Sequence, residues 1–201
     1  MSAISPSLGS AYLADVRPHS KLVDAALVFS GTAFIVAAAL VTIPLPFTPV
    51  PITMSTFAVM LTGAVLGSGR GAMSAVFYLL IGAAGAPVFA SGHSGVFLPT
   101  FGYIVGFVFA AVVVGQLARR RADRRVGTTI LLGALGTLVI YAFGVPWLAV
   151  SLGVDIGQAI LLGVAPFLVG DALKILLLGG LLPTVWRAVA TVTPRAVSGG
   201  Q

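Results

Sequence analysis

A succession of apolar runs, each close to the thickness of a membrane and separated by short breakers, most constrains what this chain can fold into. About 20 apolar residues in a helix cross a hydrocarbon core roughly 30 Å thick. Such runs cover about 22–43, 71–90, 99–118, 127–149 and 157–182, with a shorter one at about 54–67. Only 8% of the residues are charged, and the mean hydropathy is +1.11. A soluble domain carries about a quarter of its residues charged, so charge is too scarce here to cover a water-facing surface. The expectation is an all-α integral membrane protein, one transmembrane domain over 1–201 and a six-helix bundle whose outer surface faces membrane lipid.

The breakers set the orientation. Proline and glycine interrupt three connections: residues 43–53 with Pro44, Pro46, Pro49 and Pro51, the glycine-rich stretch 91–95, and residues 151–155. Alternating prolines cannot continue a helix, so 43–53 is extended or turn-like. These three connections hold no lysine or arginine. The other side holds Arg17, Lys21, Arg70, Arg119, Arg120, Arg121, Arg124, Arg125, Arg187 and Arg195, which is every one of the eleven basic residues but Lys174. Basic residues concentrate in the short cytoplasmic loops of membrane proteins, so both termini are expected in the cytoplasm. The formal charge of +6 follows from that asymmetry, and nucleic acid is not an expected partner. Residues 1–21 are polar and mixed and carry no early apolar segment, so a cleavable signal peptide is not expected there.

Two ionisable residues lie inside an apolar run, Asp171 and Lys174. Three apart on a helix, they share a face. Ionisable groups within a span are costly and mark functional sites by default. They read either as a structural ion pair or as the wall of a pocket for a polar ligand. Asp24, by contrast, sits at the entrance of the first helix, where the helix dipole favours a carboxylate. The proline segment reads as a rigid turn or as a lid, since irregular backbone at membrane depth is tolerated where it lines a cavity. The aromatic residues Phe47, Tyr78, Phe89, Tyr103, Tyr141 and Trp147 read as packing or interfacial anchors, or as walls for a fused-ring ligand.

Several chemistries are excluded. There is no cysteine, and the two histidines, His19 and His93, have no clustered partner ligands, so no metal site is expected. Gly92-His93-Ser94-Gly95 matches a short intramembrane serine-protease motif, yet no histidine follows to act as its base. Only Asp171 among the acidic residues is deep in a span, so an aspartyl dyad is absent. Neither lysine follows a glycine, so no phosphate-binding loop exists; any ATP hydrolysis must come from another subunit. No enzyme activity and no cofactor are expected. A stand-alone channel or secondary transporter for a small polar solute is the alternative to a binding subunit, although no internal repeat of the kind many secondary transporters carry is visible.

Ile43-Pro44-Leu45-Pro46-Phe47-Thr48-Pro49-Val50-Pro51-Ile52-Thr53 resembles the signature loop of the BioY family. The likeness continues through Gly102-Tyr103-Ile104-Val105-Gly106-Phe107, Gly144-Val145-Pro146-Trp147-Leu148 and Pro166-Phe167-Leu168-Val169-Gly170-Asp171-Ala172-Leu173-Lys174, over about residues 22–182. The resemblance implies the six-helix fold of an energy-coupling factor (ECF) S component in a bacterial plasma membrane. It implies biotin as ligand, and a transmembrane T component with two ABC-type ATPases as partners. Carried onto this sequence, the pocket includes Asp171 and Lys174, the outer loop with Gly92 and Ser94, and the aromatics Phe47, Tyr78, Phe89, Tyr103 and Trp147. The small residues Ala33 and Ala37 stand where the family's first helix docks on its T component. Biotin suits such a pocket: its ureido group offers two N–H donors and a carbonyl, its bicycle is apolar, and its tail ends in a carboxylate.

Overall fold

Ser20 opens the first helix by accepting a hydrogen bond from the Val23 amide, and α1 then runs Lys21–Leu40. The computed structural model describes residues 12–16 and 20–192; Arg17, His19 and Arg195 lie outside the described residues. One face of α1 buries Val28, Gly31, Thr32, Ile35, Ala38 and Ala39, the three-and-four spacing of a helix packed on one side. Ala33 and Ala37 lie on the opposite, exposed face. Beyond α1 the proline segment forms a small hairpin, in which β1 (Thr42–Ile43) pairs antiparallel with β2 (Ile52–Thr53). Proline donates nothing to a ladder, which limits the pairing to these residues.

The second helix, α2, spans Ser55–Ala83 but is not straight: Gly67 has φ 89° and ψ 172°. A Cβ placed on Gly71 would lie 2.8 Å from the Cα of Gly63. Residues eight apart in a straight helix are about 12 Å apart at 1.5 Å rise per residue, so the chain doubles back at Gly67, a conformation open to glycine. The helix stops at Ala83, earlier than the apolar run to about 90 suggests, because Gly85 takes φ 106° and the chain turns into an irregular connection with a 3-10 turn at Ala90–Gly92.

Helices α3 (Phe101–Arg119) and α4 (Val126–Leu152) follow the expected runs closely. The sixth run differs. It is divided into α5 (Ile156–Gly163), a 3-10 turn at Ala165–Phe167 containing Pro166, and α6 (Leu168–Val192). Nor does Pro183 stop the last helix, which continues through it; within apolar surroundings neighbouring groups re-satisfy what a proline frees. Five helical stretches are long and apolar enough to cross a membrane among the described residues, with Ile156–Thr191 counted as one. Six were expected; the doubled-back α2 accounts for the difference, since it holds both the second and third runs. The chain is a helical membrane protein.

The end of the bundle opposite the hairpin is held by charge. Arg70, just past the Gly67 reversal, pairs with Asp15 at 2.8 Å and Asp24 at 3.0 Å. In the α3–α4 connection the buried Asp123 accepts from the Trp186 indole, and the Arg124 guanidinium lies 4.0 Å from the centre of the same ring. Burial pushes the Asp123 carboxyl above the usual carboxylate range, against the opposing pull of the Trp186 hydrogen bond.

Candidate functional site

The break between α5 and α6 builds the site. In a continuous helix the carbonyl of Leu162 would receive the amide of residue 166, but that residue is Pro166 and has none. The Thr48 hydroxyl, from the hairpin, donates to Leu162 O at 2.8 Å instead. The carbonyl of Gly163 is freed as well, because the Phe167 amide bonds Val164 O. The Tyr103 hydroxyl of α3 donates to it at 3.0 Å. A Cβ at position 163 would stand 2.1 Å from that hydroxyl and one at 144 would stand 2.3 Å from the Tyr103 ring, so Gly163 and Gly144 make room for the tyrosine. Proline breaks the helix, and side chains from the hairpin and α3 satisfy both exposed carbonyls.

The cavity created there encloses about 630 Å³ of empty space, counting its part open to solvent. Val50, Pro51 and Thr53 of the hairpin segment close one side. Tyr78 of α2, Tyr103, Ile104 and Phe107 of α3, and Ile140 of α4 make apolar and aromatic walls. Asp171 and Lys174 face the cavity from the start of α6, with Thr56 and Tyr141 beside them. Asp171 lies in the first turn of α6, where free amides and the helix dipole favour a carboxylate. Lys174 Nζ donates to Asp171 Oδ1 at 2.9 Å and to Thr56 Oγ1 at 3.0 Å, and the Tyr141 hydroxyl donates to Asp171 Oδ2. Asp171 is 6% exposed and Lys174 8%. The cluster can present a carboxylate acceptor, an ammonium donor and two hydroxyls to a ligand, and it carries no net charge.

The sequence-derived residues divide by place. Asp171, Lys174, Tyr78 and Tyr103 are brought together on the cavity. Phe89 lies one layer behind, its buried ring edge-on to Tyr78 at 5.3 Å. Trp147 is turned outward, its indole donating to Leu98 O at 2.9 Å and its ring against Phe101. Phe47 is 62% exposed at the hairpin tip. Gly92 and Ser94 belong to the neighbouring outer connection and do not line this cavity. Sequence reasoning missed Thr56 and left Tyr141 out of the site. A hydroxyl in an apolar run is common, so only the proximity of Lys174 and Asp171 reveals these two.

A helical membrane protein with an aromatic-walled cavity that carries a buried ion pair and opens under a proline hairpin belongs to a class of small-molecule-binding membrane proteins. The match to the BioY family covers residues 13–191, and this chain belongs to that family. A biotin transporter BioY of Rhizobium etli is 37% identical over 162 residues, covering 75% of this chain and 86% of that protein. One of Thermotoga maritima is 39% identical over 147 residues, covering 72% and 84%. The crystal structure of the S component for biotin from an ECF-type ABC transporter superposes with a TM-score of 0.73 at 24% identity, covering 83% of this chain and 92% of that one; at that identity the likeness is one of fold.

Proposed function

We propose that this chain is the high-affinity biotin-binding S component of an ECF transporter, a multi-pass subunit of a bacterial plasma membrane without catalysis or cofactor of its own. The observation that carries the reading is the buried Asp171–Lys174 pair, bracketed by Tyr141 and Thr56, on the wall of a cavity whose other walls are aromatic, aliphatic and hydroxyl-bearing side chains. A ureido head needs an acceptor for two N–H groups and a donor for one carbonyl, and Asp171 and Lys174 offer these side by side. The relatives that carry the biotin transporter name support the same reading. Equilibrium binding of labelled biotin to the purified chain tests it: saturable binding is expected, and its absence in folded protein would refute the proposal.

The energy for uptake then comes from a T component and two ATPases. Ala33 and Ala37 are exposed on one face of α1 and offer a small-residue surface on which another helix can approach closely. In the membrane, α2 crosses twice by its reversal at Gly67, giving six crossings and both termini in the cytoplasm. Single cysteines replacing Ser94 and Ala122 should therefore label from opposite sides of intact cells, the first from outside. Labelling of both from outside would overturn this topology.

A further inference from the structure

Five of the eleven basic residues, Arg119, Arg120, Arg121, Arg124 and Arg125, fall within seven positions at the α3–α4 connection. The one acidic residue among them, Asp123, is fully buried and turned inward to the Trp186 indole. Arg119, Arg120, Arg121 and Arg125 are exposed, so the charge this connection shows to its surroundings is all positive. No aspartate elsewhere compensates it. Asp15 and Asp24 both pair with Arg70, Asp171 pairs with Lys174, and Asp155 caps α5 by accepting from the Gln158 amide. The chain has no other acidic side chain. None of the four exposed arginines has an ion-pair partner among the described residues.

The arginines sit on a hydrogen-bonded turn. The Arg121 amide closes α3 by donating to Ala118 O at 2.8 Å. From the first turn of α4, the Thr129 hydroxyl donates to Arg125 O at 2.8 Å and reaches Ala122 O at 3.3 Å. Arg124 lies over the Trp186 ring at 4.0 Å, which ties the turn to α6. Burial lowers the Arg124 guanidinium from its ordinary range; Asp123 opposes that, and the like charge of Arg121 adds to it. The turn thus gathers positive charge that repels itself. Its depth follows from the helices it joins. The 19 residues of α3 extend about 28 Å at 1.5 Å per residue, close to a hydrocarbon core roughly 30 Å thick. The lipid-facing side of α4 resumes at once with the exposed Val126 and Leu131. Residues 119–125 therefore lie at the level of the lipid head groups.

We propose that this turn binds the phosphate head group of an anionic phospholipid. Guanidinium groups take phosphate oxygens through paired hydrogen bonds, and basic clusters beside a membrane helix attract anionic lipid. Two features set this surface apart from scattered basic residues: the turn is fixed by its own hydrogen bonds, and its counter-charge is missing from the chain. A phosphate there relieves the repulsion between Arg121 and Arg124 with charge the chain does not supply. A zwitterionic lipid brings its own cation along with its phosphate, so the turn selects a head group of net negative charge. The site is remote from the cavity and independent of what the cavity binds.

Fluorescence quenching tests it. In the full chain carrying Trp147→Phe, Trp186 beside the arginines is the one tryptophan left. That protein is reconstituted into phosphatidylcholine vesicles containing a rising fraction of brominated phosphatidylglycerol or of brominated phosphatidylcholine, and quenching reads which lipid lies against the turn. Near a membrane each basic residue strengthens the hold on anionic lipid about fivefold. Two arginines on one phosphate then give phosphatidylglycerol an advantage of about 25-fold, which should shrink in about 1 M salt. Adding Arg120→Gln, Arg121→Gln and Arg125→Gln together should reduce the advantage to about fivefold or less; if that protein does not fold, Arg120→Gln alone should cost about fivefold. Lys21→Gln, which removes an exposed charge at the same end, should leave the advantage unchanged. Equal quenching by the two lipids, an advantage that survives the arginine substitutions, or an equal loss in Lys21→Gln would overturn the proposal. Arginine variants that keep the lipid advantage but no longer copurify with ATPase subunits would assign the turn to an acidic protein surface instead.

Discussion

Replacing Asp171 by Asn is expected to weaken biotin binding roughly ten- to hundredfold. A hydrogen bond to a charged group is worth about 1.5–3 kcal/mol, and 1.4 kcal/mol is tenfold in affinity. Asp171 takes Lys174 on one oxygen and Tyr141 on the other, so Asn keeps the shape but offers one acceptor in place of two. Lys174 is then left a buried cation with no counter-charge and only neutral acceptors, Thr56 Oγ1 and the amide oxygen. Lys174→Met reverses the imbalance and should cost a similar factor. Both single variants should also melt lower, because breaking a buried pair strands a charge, whereas replacing both members by uncharged residues is often close to neutral. That separates the two roles of the pair. In the double variant Asp171→Asn, Lys174→Met, thermal stability should recover toward wild type while affinity stays low. Melting temperature and biotin dissociation constant measured on all three variants decide the matter. A double variant that regains both would leave the pair a structural one, and unchanged affinity in folded single variants would remove it from the site.

The parts of this arrangement that were legible in the sequence are those where one residue type carries a physical penalty. Asp171 and Lys174 stood out because ionisable groups are costly in an apolar run. The stretch Gly67-Ser68-Gly69-Arg70 marked a break that the structure places at the Gly67 reversal, since glycine takes positive φ without strain. The division of the last run was hidden because the sequence stays apolar through Leu161, Leu162 and Val164; its signal was Pro166, and its consequence, the Thr48 bond to Leu162, joins residues 114 apart. Aromatic direction was not legible at all. Phe47, Phe89, Tyr103 and Trp147 all read as large aromatics in apolar surroundings, yet one is exposed at the hairpin tip, one supports a cavity wall, one lines it and one faces outward. Which way a ring points depends on the small residues opposite it, as Gly144 and Gly163 show for Tyr103.

The same closeness of backbone makes Gly115→Val the substitution expected to harm the fold most. Helix α3 crosses α2 at its reversal, and a Cβ on residue 115 would lie 2.3 Å from Ser68 N and 2.7 Å from Gly67 C. These are main-chain atoms of a turn that cannot swing aside as a side-chain end would. Gly67 itself is held at φ 89°, so moving the turn to admit a side chain disturbs both halves of α2. Overpacking typically costs about 1–3 kcal/mol; with backbone on the receiving side the upper end applies. For chains of this length each kcal/mol shifts the melting temperature by about 2–4 °C, so a fall of roughly 6–12 °C is expected, with less folded protein recovered from membranes. Gly69→Ala is the matching control. It lies two residues past the reversal on an exposed face with nothing within 4 Å of its would-be Cβ, and alanine favours a helix over glycine by about 1 kcal/mol. That variant should melt no lower than wild type. If Gly115→Val melts with wild type as well, α3 does not press on the turn and the doubled-back course of α2 is wrong; if Gly69→Ala falls as far as Gly115→Val, the loss belongs to the turn's own flexibility and not to the contact.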